Sequence, residues 1–204
     1  MKNLVYTIVR FLKGWRRPSK ATNIRLLTQR GETPAFFFIR EAVPDDIPAL
    51  ATLHVKTWNE TYGSRAKPAA YYFREQQWRE IFKLTDGTWF CFLVIDRKNT
   101  LVGFAYGRIY HHSDLPEFSG ELNKIYLLRN YQRIGLGQKL MGDVARRFLA
   151  MGINNMVLFG IPQNPSVGFH EKMGGERLYA KNGEFHGGYC WRDLNKLASL
   201  TRAY

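Results

Sequence analysis

The sequence reads as a mixed α/β (α+β) protein, a sheet with helices packed on it. Short strand-like apolar runs alternate with helical patterns along most of the chain. One strand, Glu121–Leu128, is followed by an amphipathic helix over 137–151 and a further strand, Asn155–Ile161, which is the pattern of a βαβ crossover. Apolar residues make up 45% and aromatics 15% of 204 residues, enough for one sizeable core.

Residues 1–30 carry eight of the 30 bases and no acid, whereas 31–204 hold the other 22 with all 17 acids, a net of +5. The formal charge of +13 is therefore concentrated at the start of the chain. There Leu4, Val5, Ile8, Val9 and Leu12 recur at helical spacing among Lys2, Arg10 and Lys13. Three readings stay open: weak contact with an anionic membrane surface, a transit segment if the source is a eukaryote, or an extension without a task. Pro18 to Thr33 reads as a linker, so residues 1–33 are set apart from a domain over 34–204.

Within that domain Phe36–Arg40 has strand composition, and Pro44-Asp45-Asp46 starts a helix whose apolar face is Ile47, Leu50, Ala51 and Val55. A second helical segment runs over Pro68–Phe82, with Tyr71, Trp78 and Phe82 near one stripe. Trp89–Ile95 and Leu101–Tyr110 make a hairpin about the polar turn Asp96–Asn99. After the crossover come a short helix, Val167–Met173, and a closing strand pair, Gly175–Ala180 and Glu184–Trp191.

Cys91 and Cys190 are too few for a disulfide framework or a multi-cysteine zinc site, and their apolar surroundings point to buried thiols in a reducing compartment. No apolar run approaches the roughly 18 residues that span a bilayer. A cytoplasmic location is expected. His111, His112 and Asp114 invite a metal reading, but no third ligand group follows at useful spacing, so a solvated loop is expected and no metal. A nucleic-acid partner would rest on charge alone, since no reading motif is present.

The chemistry lies in Glu121–Gly137. A strand ends near Leu128, and a turn with Arg133, Gly135 and Gly137 opens the crossover helix. Leu136, Leu140, Val144 and Phe148, with Met141, Ala145 and Leu149, form that helix's broad apolar face. Free N–H groups at the start of such a helix favour an anion, and glycines let a phosphate approach the backbone. The turn lacks the lysine and hydroxyl residue of a P-loop. It also lacks the third small residue and distal acid of a dinucleotide fingerprint.

What stands is Gln132-x-x-Gly135-x-Gly137, and this turn resembles that of the GNAT family of acetyl-CoA-dependent N-acetyltransferases. Asn164-Pro165-Ser166-Val167-Gly168-Phe169-His170, running on to Gly174-Gly175, is similar to the family's second signature. Ile39-Arg40 with Asp45-Asp46 resembles its opening strand and first helix, and His54, Val55, Trp58 and Tyr62 resemble the helix beside the acceptor pocket. The resemblance covers roughly residues 36–195.

The resemblance implies a mostly antiparallel central sheet flanked by helices, with a splayed central strand that holds acetyl-CoA. It places the cofactor along Tyr126, Leu127, Leu128, Gln132, Arg133, Ile134, Gly135, Leu136, Gly137 and Gln138, with Asn164 and His170 on the far side. Arg129, Arg133 and Lys139 flank the turn, where they either help hold the acidic cofactor or face solvent. Glu121 is the candidate general base, or else a strand-end acid in an ion pair. His170 stands where the family commonly has Tyr. It is either a weaker proton donor to the departing sulfur or a contact of coenzyme A only. Trp58 and Tyr62, four apart, are either an aromatic wall for the acceptor or core. The implied reaction moves acetyl directly to the primary amine of a small molecule or peptide terminus, and homodimers are a common assembly. The rival is a GNAT-like module that binds coenzyme A without efficient turnover.

Overall fold

The computed structural model describes residues 22–27, 34–63, 70–161 and 164–200. Its core is one sheet of eight strands: β1 (Thr22–Leu27), β2 (Pro34–Glu41), β3 (Trp89–Asp96), β4 (Leu101–Ile109), β5 (Gly120–Leu127), β6 (Met156–Phe159), β7 (Glu176–Tyr179) and β8 (Phe185–Trp191). They lie in the order β1-β2-β3-β4-β5-β6-β8-β7, and every pairing is antiparallel except β5 with β6. Five helices accompany them: α1 (Ile47–Tyr62), α2 (Tyr71–Lys83), α3 (Leu136–Ala150), α4 (Val167–Lys172) and α5 (Leu194–Ser199). The mostly antiparallel sheet with one parallel crossover through α3 agrees with the architecture expected above.

Local chemistry fixes the element ends. The Asp46 carboxylate accepts the Val43 amide at 2.8 Å and two bonds from Arg40, both at 2.7 Å, so β2 is tied to the first turn of α1. In the β3–β4 turn, Asp96 Oδ1 accepts the amides of Lys98 and Thr100, both at 2.9 Å, and Asn99 takes the left-handed conformation at φ 59. Asp193 Oδ1 accepts the Asn195 amide at 2.9 Å and starts α5.

Helices cover both faces of the sheet. His54 of α1 and Trp78 of α2 pack on Phe104 of β4, and Trp78 also meets Tyr106. Gly107, one residue on from Tyr106, presents the other face to Phe90, whose ring meets Phe148 of α3 at 5.0 Å. The side of α3 that is buried comprises Leu136, Leu140, Met141, Val144, Ala145 and Phe148, the face read from the sequence. Cys91 and Cys190 are both buried free thiols.

Two elements depart from expectation. Thr22–Leu27, expected within a linker, pairs along its length with β2 as the outer strand of the sheet. Helix α5 was not anticipated. It docks Leu194 and Leu197 in the core beside α3, whose Arg146 donates to the Ala198 carbonyl at 2.8 Å. Six residues are too short to show a helical period, so only packing reveals it.

Candidate active site

The decisive backbone feature is the parting of β5 from β6. Their parallel ladder holds only Gly120 with Met156 and Glu121 with Val157, although β5 continues to Leu127. On its other side β5 stays paired with β4, with Asn123 bulged out between Leu122 and Lys124. From Leu122 onward the edge of β5 that faces β6 therefore has no strand partner among the described residues. An open cleft of about 510 Å³, counting the solvent space at its mouth, lies there, lined by Tyr62 of α1, by Asn123–Leu127, by Leu158–Gly160, and by Asn164, Ser166 and His170.

At one end of the opening lies the Arg129–Leu136 turn. Gln132 Nε2 donates to the Leu127 carbonyl at 2.9 Å and folds the turn back on the end of β5. Arg133 at φ 64 and Gly135 at φ 90 are both left-handed, and Gly135 directly precedes the first turn of α3. Such a run points successive N–H groups to one side, which is the arrangement that receives an anion. Leu136 is fully buried and anchors the start of α3, while Gln138 bonds the Leu200 carbonyl at 3.1 Å. Gly137 has another role: a Cβ there would lie 3.0 Å from the Phe169 ring of α4. Its missing side chain lets α3 and α4 approach.

The opposite wall is α4 and the loop before it. Asn164 Oδ1 accepts the Ser166 amide at 2.9 Å, and its Nδ2 reaches the Tyr62 hydroxyl at 3.4 Å. Asn164 thus shapes the turn and also spans the cleft. His170 is 3% exposed, lies against Tyr189 and Trp191, and has an Nδ1 without a hydrogen-bond partner. Burial lowers its pKa to about 4, so the imidazole is neutral at pH 7.

Glu121 occupies the last paired position, where the two strands separate, and is 4% exposed. Arg108 Nε donates to one oxygen at 2.6 Å and Asn123 Nδ2 to the other at 2.5 Å. The carboxylate is held by both partners and does not itself line the cleft.

Trp58 and Tyr62 do share a face of α1, with ring centroids 4.5 Å apart. Tyr62 is buried and reaches the cleft, whereas Trp58 is half-buried beneath the Arg74 guanidinium, 4.7 Å from its ring. Tyr126 turns its ring toward α1, 5.7 Å from His54, and shares a hydrogen bond with Tyr62.

The structure also gathers residues that the sequence reading missed. Lys124 lines the cleft, its ammonium 5.0 Å from the Tyr106 ring and 5.9 Å from Trp78, with Asn123 as its acceptor. Burial, with Arg74 and Arg108 nearby, lowers its pKa to about 8. Arg74 of α2 joins it, beside His54, which the sequence already sets on the helix next to the acceptor pocket. A lysine directly before the apolar run Ile125–Leu128, within a central strand, was the available signal, because such a charge is seldom left there without a task.

Among the described residues no group of three or more His, Cys, Asp or Glu side chains gathers as a metal site. His112 faces Asp114 at 3.2 Å on an exposed loop. No helix among the described residues is long and apolar enough to cross a membrane.

The profile of the Acetyltransferase (GNAT) family matches residues 47–175, which include the cleft and the α3 turn. An uncharacterized N-acetyltransferase of Bacillus subtilis, YuaI, is 33% identical over 174 residues, covering 79% of this chain and 96% of its own length. The phosphinothricin N-acetyltransferase of Streptomyces viridochromogenes is 26% identical over 163 residues, covering 76% and 83%. Among solved structures, the PaiA N-acetyltransferase of Thermoplasma acidophilum in complex with coenzyme A shares the fold at a TM-score of 0.57 and 20% identity, covering 76% of this chain and 97% of that one. The chain belongs to the GNAT family of acetyltransferases and is by class an acyltransferase.

Proposed function

We propose that this protein transfers acetyl from acetyl-CoA directly to the primary amine of a small molecule. The observation that carries the reading is the separation of β5 and β6 beyond Glu121, beside the left-handed turn that starts α3. The exposed β5 edge suits an extended pantetheine arm, and the Arg133–Gly137 backbone suits a pyrophosphate. The unpartnered Nδ1 of His170 suits the same occupant from the other wall. The relatives named as N-acetyltransferases, and the neighbour solved with coenzyme A, support this choice of donor.

Bound acetyl-CoA supplies an activated thioester carbonyl; the protein's residues do the rest. The β5 backbone near Leu127 orients the acyl group and offers N–H groups to its oxygen. Glu121, at the vertex, is the proton acceptor for the attacking amine through a bridging water, because Arg108 and Asn123 hold the carboxylate directly. His170, neutral at pH 7, offers an N–H toward the departing sulfur. Tyr62 and Trp58 flank the amine's side of the cleft.

Titration calorimetry with acetyl-CoA and a turnover assay over a panel of amines test this. Glu121→Gln is expected to lower kcat by about 100-fold or more while acetyl-CoA binding changes little, as for loss of an acid–base group, and His170→Ala to lower kcat and weaken acetyl-CoA binding together. Absence of acetyl-CoA binding would end the reading. Binding without transfer to any amine would favour a regulatory module instead.

A further inference from the structure

Two cations, buried Arg74 and partly buried Lys124, stand on the tyrosine side of the cleft, and among the described residues neither is in a salt bridge with a carboxylate. Arg74, near the start of α2, is 9% exposed, covers the Trp58 ring, and donates to a neutral group, Gln77, at 3.1 Å. Its Nε is buried without a hydrogen-bond partner. Lys124 rests on Tyr106 and Trp78 and donates to the amide oxygen of Asn123. Glu121, an acid that acts on Lys124, is already bound by Arg108. Both cations border one aromatic cluster: Arg74 lies over Trp58, whose ring meets Tyr62, and Lys124 lies by Trp78, whose ring meets His54; each also disfavours charge on the His54 imidazole. The hydroxyls of Tyr62 and Tyr126 add polar contacts beside them.

Two like charges close together in low dielectric are costly unless an anion joins them. They would also repel a protonated amine, so a simple polyamine would be a poor fit. We infer that Arg74 and Lys124 form an anion subsite, and that the acceptor is an amine that also carries an oxyanion, a carboxylate or a phosphonate. The oxyanion draws the molecule in against the two cations and leaves its amine pointing along the cleft toward the β5–β6 vertex. The same cations favour the uncharged, nucleophilic form of that amine. The assignment rests on the acetyl-transfer reading above, and the test separates the two.

Matched pairs are required: a small amino acid and its methyl ester, and an aminoalkylphosphonate and its dialkyl ester. Each is assayed for turnover with acetyl-CoA and, by calorimetry, for binding to the protein loaded with coenzyme A. The acid of each pair is expected to exceed its ester in kcat/KM and in affinity by roughly 10–100-fold, the range of one or two charge-assisted hydrogen bonds. In Arg74→Gln and in Lys124→Met that ratio falls toward one, and Lys124→Arg restores part of it. Acetyl-CoA binding by each variant verifies that it is folded. If neither member of either pair is acetylated but the acids bind in preference, the anion subsite stands and the acetyl-transfer reading falls. Equal use of acid and ester, a preference for esters or polyamines, or no binding of any acid overturns the subsite. A carboxylate-only or phosphonate-only preference identifies which oxyanion it takes.

Discussion

His54 and His170 are imidazoles shut away from water, and the two differ in surroundings. His54, at 1% exposure, is enclosed by Trp78, Phe104 and Tyr126 with Arg74 and Lys124 behind, while His170 faces the cleft wall among Phe169, Tyr189 and Trp191. Desolvation lowers both pKa values, His54 to about 2 and His170 to about 4, and for His54 the two cations add to it. Both folded values lie below the ordinary 6.5 of an exposed imidazole, so the unfolded chain takes up these protons first as the pH drops. Their contribution to stability is complete above about pH 6.5 and is lost as the pH falls, through about pH 4 for His170 and lower still for His54. Each can add a slope of up to about 1.4 kcal/mol per pH unit within its window. Urea unfolding at pH 7 and pH 5 is therefore expected to show a loss of about 2–4 kcal/mol, and His54→Asn a shallower loss. A pH-independent midpoint across that interval would contradict the buried, neutral state of these rings.

Between elements, the turn at the start of α3 and the short α4 act as one piece, because Gly137 lets the Phe169 ring lie against the first turn of α3. Gly137→Ala would set a Cβ 3.0–3.1 Å from that ring and push α4, with His170, away from the turn. Gly135→Ala acts differently. It leaves α4 alone but forces a Cβ into the left-handed region at φ 90, a cost of about 1–2 kcal/mol. Both variants are expected to weaken acetyl-CoA binding by roughly tenfold, the equivalent of about 1.4 kcal/mol. In Gly137→Ala the kcat should fall as well. Binding by calorimetry beside single-turnover rates distinguishes the two, and a Gly137→Ala enzyme with unaltered kcat would break the proposed link to His170. The turn glycines were legible in the sequence because their spacing is a backbone requirement, and α3 was legible because 15 residues give several turns of apolar period. The cations were not. Arg74 and Lys124 come to one aromatic cluster only after α2 packs on β4, and a helix arginine fifty residues before a strand lysine carries no pattern. Glu121 was legible as a candidate, but its pairing with Arg108 comes from the β4–β5 register, which a linear reading does not fix.

Along the sequence, the concentrated charge and the cleft belong to different segments. The cleft is built from α1, β5, β6 and α4, whereas β1 is the outermost strand and its pairing partner is β2. In sequence the eight bases of residues 1–30 precede the elements of the cleft, and the turn before α3 follows β5, which is separated from β1 by three strands. Removal of residues 1–33 strips β1 and leaves 22 bases against 16 acids, a formal +6 in place of +13. Sites without shared contacts are close to additive, so acetyl-CoA affinity should stay within about twofold of the full chain. A second effect belongs to the sheet edge. The loss of β1 bares the N–H and C=O groups of β2 along Ala35–Ile39, together with the exposed Phe38, and an open edge of this kind invites pairing with another chain. The truncated protein should therefore bind acetyl-CoA normally yet associate at lower concentration than the full chain, which calorimetry and sedimentation velocity read separately. A truncated protein that remains folded but no longer binds acetyl-CoA would place the first 33 residues inside the functional unit, and the charge at the start of the chain would then belong to the reaction.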